Sequence, residues 1–418
     1  MSVATEDFGV GLNEIRAAAA DLQGHAVRTP LIAAPRLSAM LGCELYLKLE
    51  NQQYTGSFKD RGSYIKLKSL DDAQKRTGVI AMSAGNHAQG VAYHAQRLGI
   101  PATIVMPESA PFSKVERTRG FGARVVQSGE TIDEAADVAR ELMDKEGLTF
   151  VHPYDDPAVI AGQGTIGLEI FEDQADIDTI VVPIGGGGVI SGTALAAKAL
   201  RPETEICGVE AELFPSMYQA VHELDPTSGG VSIADGIAVK RPGKLNRRII
   251  GALVSDIMLV DEPTLETAVA TLADYQKIVA EGAGAAPLAA LLANRERFAG
   301  RKVALVICGG NIDTRVLASV LMRNLVREGR LVRLRIDIND APGVLAKLAG
   351  LIGQSGANIV EVYHQRLFHD VPVRKAEVDA VVETRNAGHV EEIVKALEAG
   401  GFPTRTLSTL STTGPTQI

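Results

Sequence analysis

Between residues 79 and 307, short runs rich in β-branched residues alternate with alanine-rich stretches whose apolar positions recur every three or four residues. Strands are predicted at 79–82, 102–106, 124–126 and 179–183. Another is predicted at 303–307, a continuous apolar run of the kind buried on both faces of a parallel sheet. Helices are predicted at 88–98, 113–120 and 131–147, with one more from about Ser191. An amphipathic helix at 11–27 is expected to stop before Thr29-Pro30, and Phe150-Val151 opens a further alternation. A βαβα rhythm of this kind builds parallel sheets covered by helices. Near residue 328 the rhythm changes. Residues 331–338 alternate strictly between apolar and polar, as a half-buried antiparallel strand does. A turn at Pro342-Gly343, a helix at 344–353, strands at 359–364 and 376–384 and a helix at 390–399 follow. The order βαββα marks 331–405 as a small α+β domain, separate from an α/β region spanning 1–328. Residues 406–418, rich in Ser, Thr and Pro, are expected to be a frayed tail.

Composition narrows the classes of function. A chain of 418 residues with 46% hydrophobic and 22% charged residues is that of an ordinary globular protein with room for two or three cores. The net charge of −9 and the lack of a long basic run argue against nucleic acid as a partner. No apolar stretch reaches membrane-spanning length, and residues 1–7 lack the features of a secretory signal. Cys43, Cys207 and Cys308 are too widely spaced for a disulfide framework or a zinc pattern. The expected compartment is the cytoplasm, with reduced thiols.

Three clusters carry candidate chemistry, each after a predicted strand, where open parallel sheets collect their ligands. Ser83-Ala84-Gly85-Asn86-His87 opens a helix: its backbone N–H groups suit a carboxylate, and Asn86 offers a side-chain donor. Taken alone, Ser83 or Asn86 reads first as a simple helix cap. Gly185, Gly186, Gly187 and Gly188 stand between a strand and a helix, where successive N–H groups form an anion nest. They lack the Gly-Lys-Ser/Thr of a nucleotide loop and fail the G-x-G-x-x-G spacing, so a phosphate monoester fits better, with a tight turn as the alternative. Cys308-Gly309-Gly310-Asn311 ends the apolar strand; Cys308 suits a weak hydrogen bond to a ring nitrogen or a plain buried thiol. Upstream lies Gly56-Ser57-Phe58-Lys59-Asp60-Arg61-Gly62. Its lysine becomes a nucleophilic amine if desolvated, and is otherwise an exposed turn residue.

Taken in order, the motifs Ser57-Phe58-Lys59-Asp60-Arg61-Gly62, Ser83 to Gly90, the tetraglycine run and Cys308-Gly309-Gly310-Asn311 resemble those of the pyridoxal-phosphate-dependent threonine/serine dehydratases, over roughly residues 10–325. The resemblance implies the two-lobed fold type II, tryptophan synthase β-like, with a smaller lobe of about 48–155 inserted in the larger. It implies that Lys59 is catalytic and forms the Schiff base with pyridoxal 5'-phosphate, with Phe58 near the ring and Asn86 on the ring hydroxyl. Gly185, Gly186, Gly187 and Gly188 would hold the phosphate, and Cys308 would face the pyridine nitrogen. Ser83, Ala84, Gly85, Asn86 and His87 would bind the substrate. A neutral partner at the ring nitrogen weakens the electron sink and favours elimination over transamination. Relatives that racemise serine carry a serine where Ala84 stands, and Ala84 has no proton to give. Some relatives bind a cation through a glutamate near Glu210; here further ligands are not evident, and a solvated acid is the alternative.

Residues 331–405 resemble an ACT domain, an amino-acid-binding regulatory module, with Asp340, Gly343 and Asn358 as expected effector contacts. ACT domains pair side by side, so a homodimer or homotetramer is expected. The implied reaction is β-elimination of L-threonine, and more weakly L-serine, to 2-oxobutanoate and ammonia. That is a first step towards isoleucine, with isoleucine or valine as effector. Serine or 3-hydroxyaspartate as the preferred substrate, and a catalytically silent amino-acid sensor, are the alternatives.

Overall fold

The computed structural model describes residues 7–130, 132–365 and 375–407. The chain divides into two compact units, one running to Ile312 and the other beginning at Asp313. The first unit holds two sheets. The larger runs in the order Leu31–Ala33, Glu44–Lys48, Lys302–Val306, Thr179–Pro183, Glu205–Ala211, Asp256–Val260. All its neighbours are parallel except the first pair. The strand nearest the C-terminus is central: Ala304 pairs with Tyr46 on one side and Ile180 on the other. Every residue from Thr179 to Pro183 is buried, as a strand covered by helices on both faces requires. The smaller sheet is wholly parallel, in the order Arg124–Gln127, Ala102–Met106, Val79–Met82, Thr149–Phe150.

The expected strands and most expected helices stand within a residue or two of their predicted places. Three differences have physical reasons. The first helix covers only Leu12–Leu22, because Gly24 turns the chain at φ +75°. The helix after the tetraglycine run starts at Gly188 rather than Ser191, so the last glycine belongs to the helix. The helix Pro157–Asp173 has no clear sequence signature, since three glycines interrupt it. Those glycines are what let it pack: a Cβ on Gly192 of the helix Gly188–Leu200 would lie 2.5 Å from the backbone nitrogen of Gly164. Asp156 caps this helix by accepting from the N–H groups of Ala158 and Val159.

A buried ionic cluster pins the helix Lys59–Lys68, nearly all of whose faces are covered. Arg61 donates Nε and Nη2 to Glu50, both at 2.8 Å, and Nη1 to Glu169 at 2.6 Å. Lys48 donates to Glu169 at 2.5 Å and to the Thr29 carbonyl at 2.6 Å. Arg61, Lys48 and Glu50 are all buried. The guanidinium holds the Glu50 carboxyl low against the opposing pull of burial.

The second unit begins with the helix Thr314–Arg327 and continues as a four-stranded antiparallel sheet in the order Asn358–Gln365, Lys375–Glu383, Leu331–Asn339, Thr404–Thr406. Helices Val344–Gln354 and Ala387–Ala399 cover one face, over Leu334, Ile336, Val378 and Val382. The short strand Thr404–Thr406 extends the expected βαββα order to βαββαβ. Most of the expected tail, from residue 408 on, lies outside the described residues. No helix among the described residues is long and apolar enough to cross a membrane.

Candidate active site

Lys59 is the first residue of its helix, half-buried. Its ammonium donates to the Pro153 carbonyl at 2.6 Å and lies 5.0 Å from the centroid of the Phe58 ring. Burial pushes its pKa down to about 8, against the opposing pull of Cys308 and Glu281. The preceding segment is tied to the strand end that carries Cys308: the Phe58 N–H donates to the Cys308 carbonyl at 3.0 Å, and Ser57 bridges to Gly309. The Cys308 thiol is buried, and burial, reinforced by Glu281, pushes its pKa well above the ordinary thiol value. It therefore stays a neutral thiol.

The tetraglycine run needs its glycines. A Cβ on Gly186 would fall 2.2 Å from the Tyr154 ring. Gly187 sits at φ +98°, and a Cβ there would meet Asn246 Cβ at 2.7 Å. Gly188 opens a 13-residue helix whose first-turn N–H groups lack intrahelical acceptors. Asn246 braces the turn by donating to the carbonyls of Gly186 and Tyr154, each at 3.0 Å. Asp155 holds Asn246 in turn by capping the helix Lys244–Leu253. Exposed N–H groups in a cradle with no room for side chains fit a phosphate monoester.

The Ser83–His87 segment joins the smaller sheet to the helix Asn86–Leu98. Ser83 Oγ accepts from the Gly85 N–H at 3.1 Å, and Ala84 packs on the core beneath. His87 turns its ring inward, with Nε2 at 2.8 Å from the Val151 carbonyl. Burial depresses its pKa to about 3, so the ring is neutral and its backbone N–H is what remains for a ligand. The Asn86 side chain links across to the large sheet. It donates to Glu281 at 2.6 Å and accepts from Asn311 at 2.8 Å. Burial, reinforced by Asp235, pushes the Glu281 pKa up to about 7, while Asn86 and Asn311 oppose the rise. Lys59, Phe58, Asn86 and Cys308 thus gather around one site, with Gly186 tied to it through Tyr154, the neighbour of Pro153. Glu281, Asn311, Pro153, Tyr154 and Asn246 were not singled out by motif. Glu281 had one faint signal, a lone acid immediately before the apolar helix Gly282–Ala293.

Glu210 is buried elsewhere. Its two oxygens accept the N–H groups of Met217 and Tyr218, both at 2.8 Å, and burial pushes its pKa up to about 7. Among the described residues, no group of three His, Cys, Asp or Glu side chains is placed to hold a metal ion. In the second unit, Asp340 and Gly343 line a pocket of about 280 Å³ with Ile338, Ala341, Pro342, Leu345 and His364. Asn358 does not join them. It starts the edge strand and donates to Glu383 across the sheet at 3.4 Å.

Residues 22–309 match the family described as pyridoxal-phosphate dependent enzyme. The chain is 45% identical over 398 residues to an L-threonine ammonia-lyase of Thermotoga maritima, covering 95% of this chain and 99% of that one. Among solved structures it is similar to threonine deaminase isoform 2 of Solanum lycopersicum, with a TM-score of 0.70 and 36% identity over 75% of this chain and 89% of that one. It is also similar to maize serine racemase, with a TM-score of 0.71 and 34% identity over 77% of this chain and 99% of that one.

Proposed function

The chain belongs to the pyridoxal-phosphate dependent enzymes, and on that premise we propose that it is an L-threonine ammonia-lyase: water is eliminated from threonine, and the released enamine takes water back as it hydrolyses to 2-oxobutanoate and ammonia. The observation that carries this reading is the convergence of a desolvated Lys59 amine with Asn86, a neutral Cys308 thiol and the glycine cradle. The bound cofactor supplies an electron sink for the charge left when the α-proton departs.

The chain's own groups do the rest. Gly185 to Gly188 would present N–H groups to the phosphate, and Asn86 Nδ2 would donate to the ring oxygen. Within the Ser83–His87 segment, the backbone N–H groups of Asn86 and His87, at a helix N-terminus, would bind the substrate carboxylate. Lys59, with its pKa near 8, is poised to take the α-proton from one face. Ala84 has no proton to return, which favours elimination over the racemisation named for the maize relative. Cys308 is uncharged and would leave a pyridine nitrogen facing it unprotonated, a weaker electron sink that would favour elimination over transamination.

The second unit is proposed to be an ACT-like regulatory module. Asp340 and Gly343 line a pocket at the start of a helix, which suits the carboxylate and amine of an amino acid such as isoleucine or valine. The edge strand Asn358–Gln365 exposes Val360, Val362 and Tyr363, a face suited to pairing with a second copy.

Ketoacid release from threonine, serine and 3-hydroxyaspartate, each with and without isoleucine and valine, tests the whole reading. Threonine should be the best substrate and a branched-chain amino acid should change its rate. No ketoacid from threonine would end the proposal. A second measurement concerns the amine. Because the neutral form of Lys59 captures the cofactor, the rate at which apoprotein turns yellow with pyridoxal phosphate should rise through a midpoint near pH 8. A midpoint near the ordinary lysine value, 10.5, would mean an unperturbed side chain.

A further inference from the structure

Both ends of the Asn86 amide are engaged by groups that tolerate only one orientation. Oδ1 accepts from Asn311 Nδ2 at 2.8 Å, and Nδ2 donates to Glu281 Oε1 at 2.6 Å. Above its pKa of about 7 the Glu281 carboxylate is ionised and only accepts, and an amide nitrogen only donates. A flipped Asn86 would therefore set oxygen against oxygen at Glu281 and N–H against N–H at Asn311. Asn311 is itself anchored, its Nδ2 also donating to the Thr55 carbonyl at 2.7 Å.

Glu281 is equally constrained. It is 4% exposed, its backbone N–H donates to the Gly309 carbonyl at 3.1 Å, and its carboxyl accepts the backbone N–H of Asn311. A Cβ on Gly309 would lie 2.4 Å from Glu281 Oε1 and 3.1 Å from Asn86 Nδ2, so the strand end leaves just enough room for this contact. Four segments far apart in the chain, around residues 56, 86, 281 and 310, meet to set one amide.

We propose that Glu281 is the positioning residue of the cofactor site. By taking one Nδ2 proton of Asn86 while Asn311 holds the other end, it aims the second Nδ2 proton at the ring oxygen of pyridoxal phosphate. The inference rests on the reading of Asn86 as the ring-oxygen donor and adds what makes that donor reliable. A free asparagine samples both amide orientations and presents a donor only part of the time; a locked one is pre-organised for the ligand.

The test is a double-mutant cycle on cofactor affinity, read by absorbance of apoenzyme titrated with pyridoxal phosphate rather than by turnover. Asn86→Ala is expected to raise the dissociation constant about tenfold, the scale of one hydrogen bond to a buried polar group. Glu281→Ala should do nearly the same, and the double variant should lose no more than Asn86→Ala alone. Glu281→Gln keeps an acceptor oxygen and should stay within about threefold of the parent. Thermal melting of each apoenzyme checks the fold; Glu281→Leu, which fills the space without an acceptor, replaces Glu281→Ala if the latter does not fold.

If Glu281→Ala leaves affinity unchanged while Asn86→Ala weakens it, the role of Glu281 is refuted and that of Asn86 survives. Losses that multiply in the double variant also refute it, since Glu281 would then act independently of Asn86. Unchanged affinity in Asn86→Ala removes the premise, and the proposal falls with it.

Discussion

Replacing Lys59 with alanine should lower threonine turnover by at least about 10³-fold, at the upper end of what a positioned acid–base group contributes, because proton abstraction and cofactor attachment are lost together. The same variant should be colourless with added pyridoxal phosphate. It should nonetheless fold. The ammonium's hydrogen bond is to the Pro153 carbonyl, and alanine is the best helix former at the first position of Lys59–Lys68. Stability should even rise at neutral pH. Burial lowers the folded-state pKa of Lys59 to about 8 from 10.5, so below pH 8 the fold carries the full cost of a desolvated ammonium. That cost fades as pH rises from about 8 to 10.5. Removing the group should recover about 1–3 kcal/mol at pH 7, seen as a higher melting temperature of the apoprotein, and little at pH 10.5. A variant that melts much earlier than the parent at pH 7 would mean Lys59 is a structural anchor, and near-normal ketoacid production would remove it from catalysis.

The second large effect is expected two residues along. Arg61→Met keeps the volume but leaves Glu50, fully buried, without its two guanidinium bonds and leaves Glu169 with Lys48 alone. Breaking one side of a buried ion cluster typically costs about 3–5 kcal/mol, because the remaining charge stays desolvated. Arg61→Lys retains the charge but not the fork that spans both carboxylates, and should fall between the two. Pairing Arg61→Met with Glu50→Gln should restore part of the loss. Chemical denaturation of the parent, Arg61→Met, Arg61→Lys, Glu50→Gln and the pair measures this. Additive losses in the pair would mean that Glu50 and Arg61 do not work together.

These two residues also show what could be read along the chain and what could not. Lys59, the tetraglycine run and Cys308 announce themselves because chemistry or close approach restricts the residue type at contiguous positions. Strands such as Val79–Met82 and Thr179–Pro183 were legible because burial on both faces demands unbroken apolar runs. Glu281 was not, for its partner Asn86 lies 195 positions away and no motif surrounds Glu281 itself. The helix Pro157–Asp173 was obscured by glycines that lower helix propensity, yet tertiary packing against Gly188–Leu200 outweighs that penalty. Thr404–Thr406 is too short to show alternation, and its pairing with Leu334–Ile336 is what defines it. Asn358 was assigned by analogy of motif alone; its cross-strand contact to Glu383 takes it away from the pocket.

The strand order of the large sheet governs how this protein must be born. The strands Glu44–Lys48 and Thr179–Pro183 are not neighbours; Lys302–Val306 fits between them. During synthesis each of these two strands leaves the ribosome with one edge unpaired and waits for a segment made more than a hundred residues later. Until that segment emerges, the nascent chain offers the kind of sticky edge that chaperones bind and that aggregates grow from.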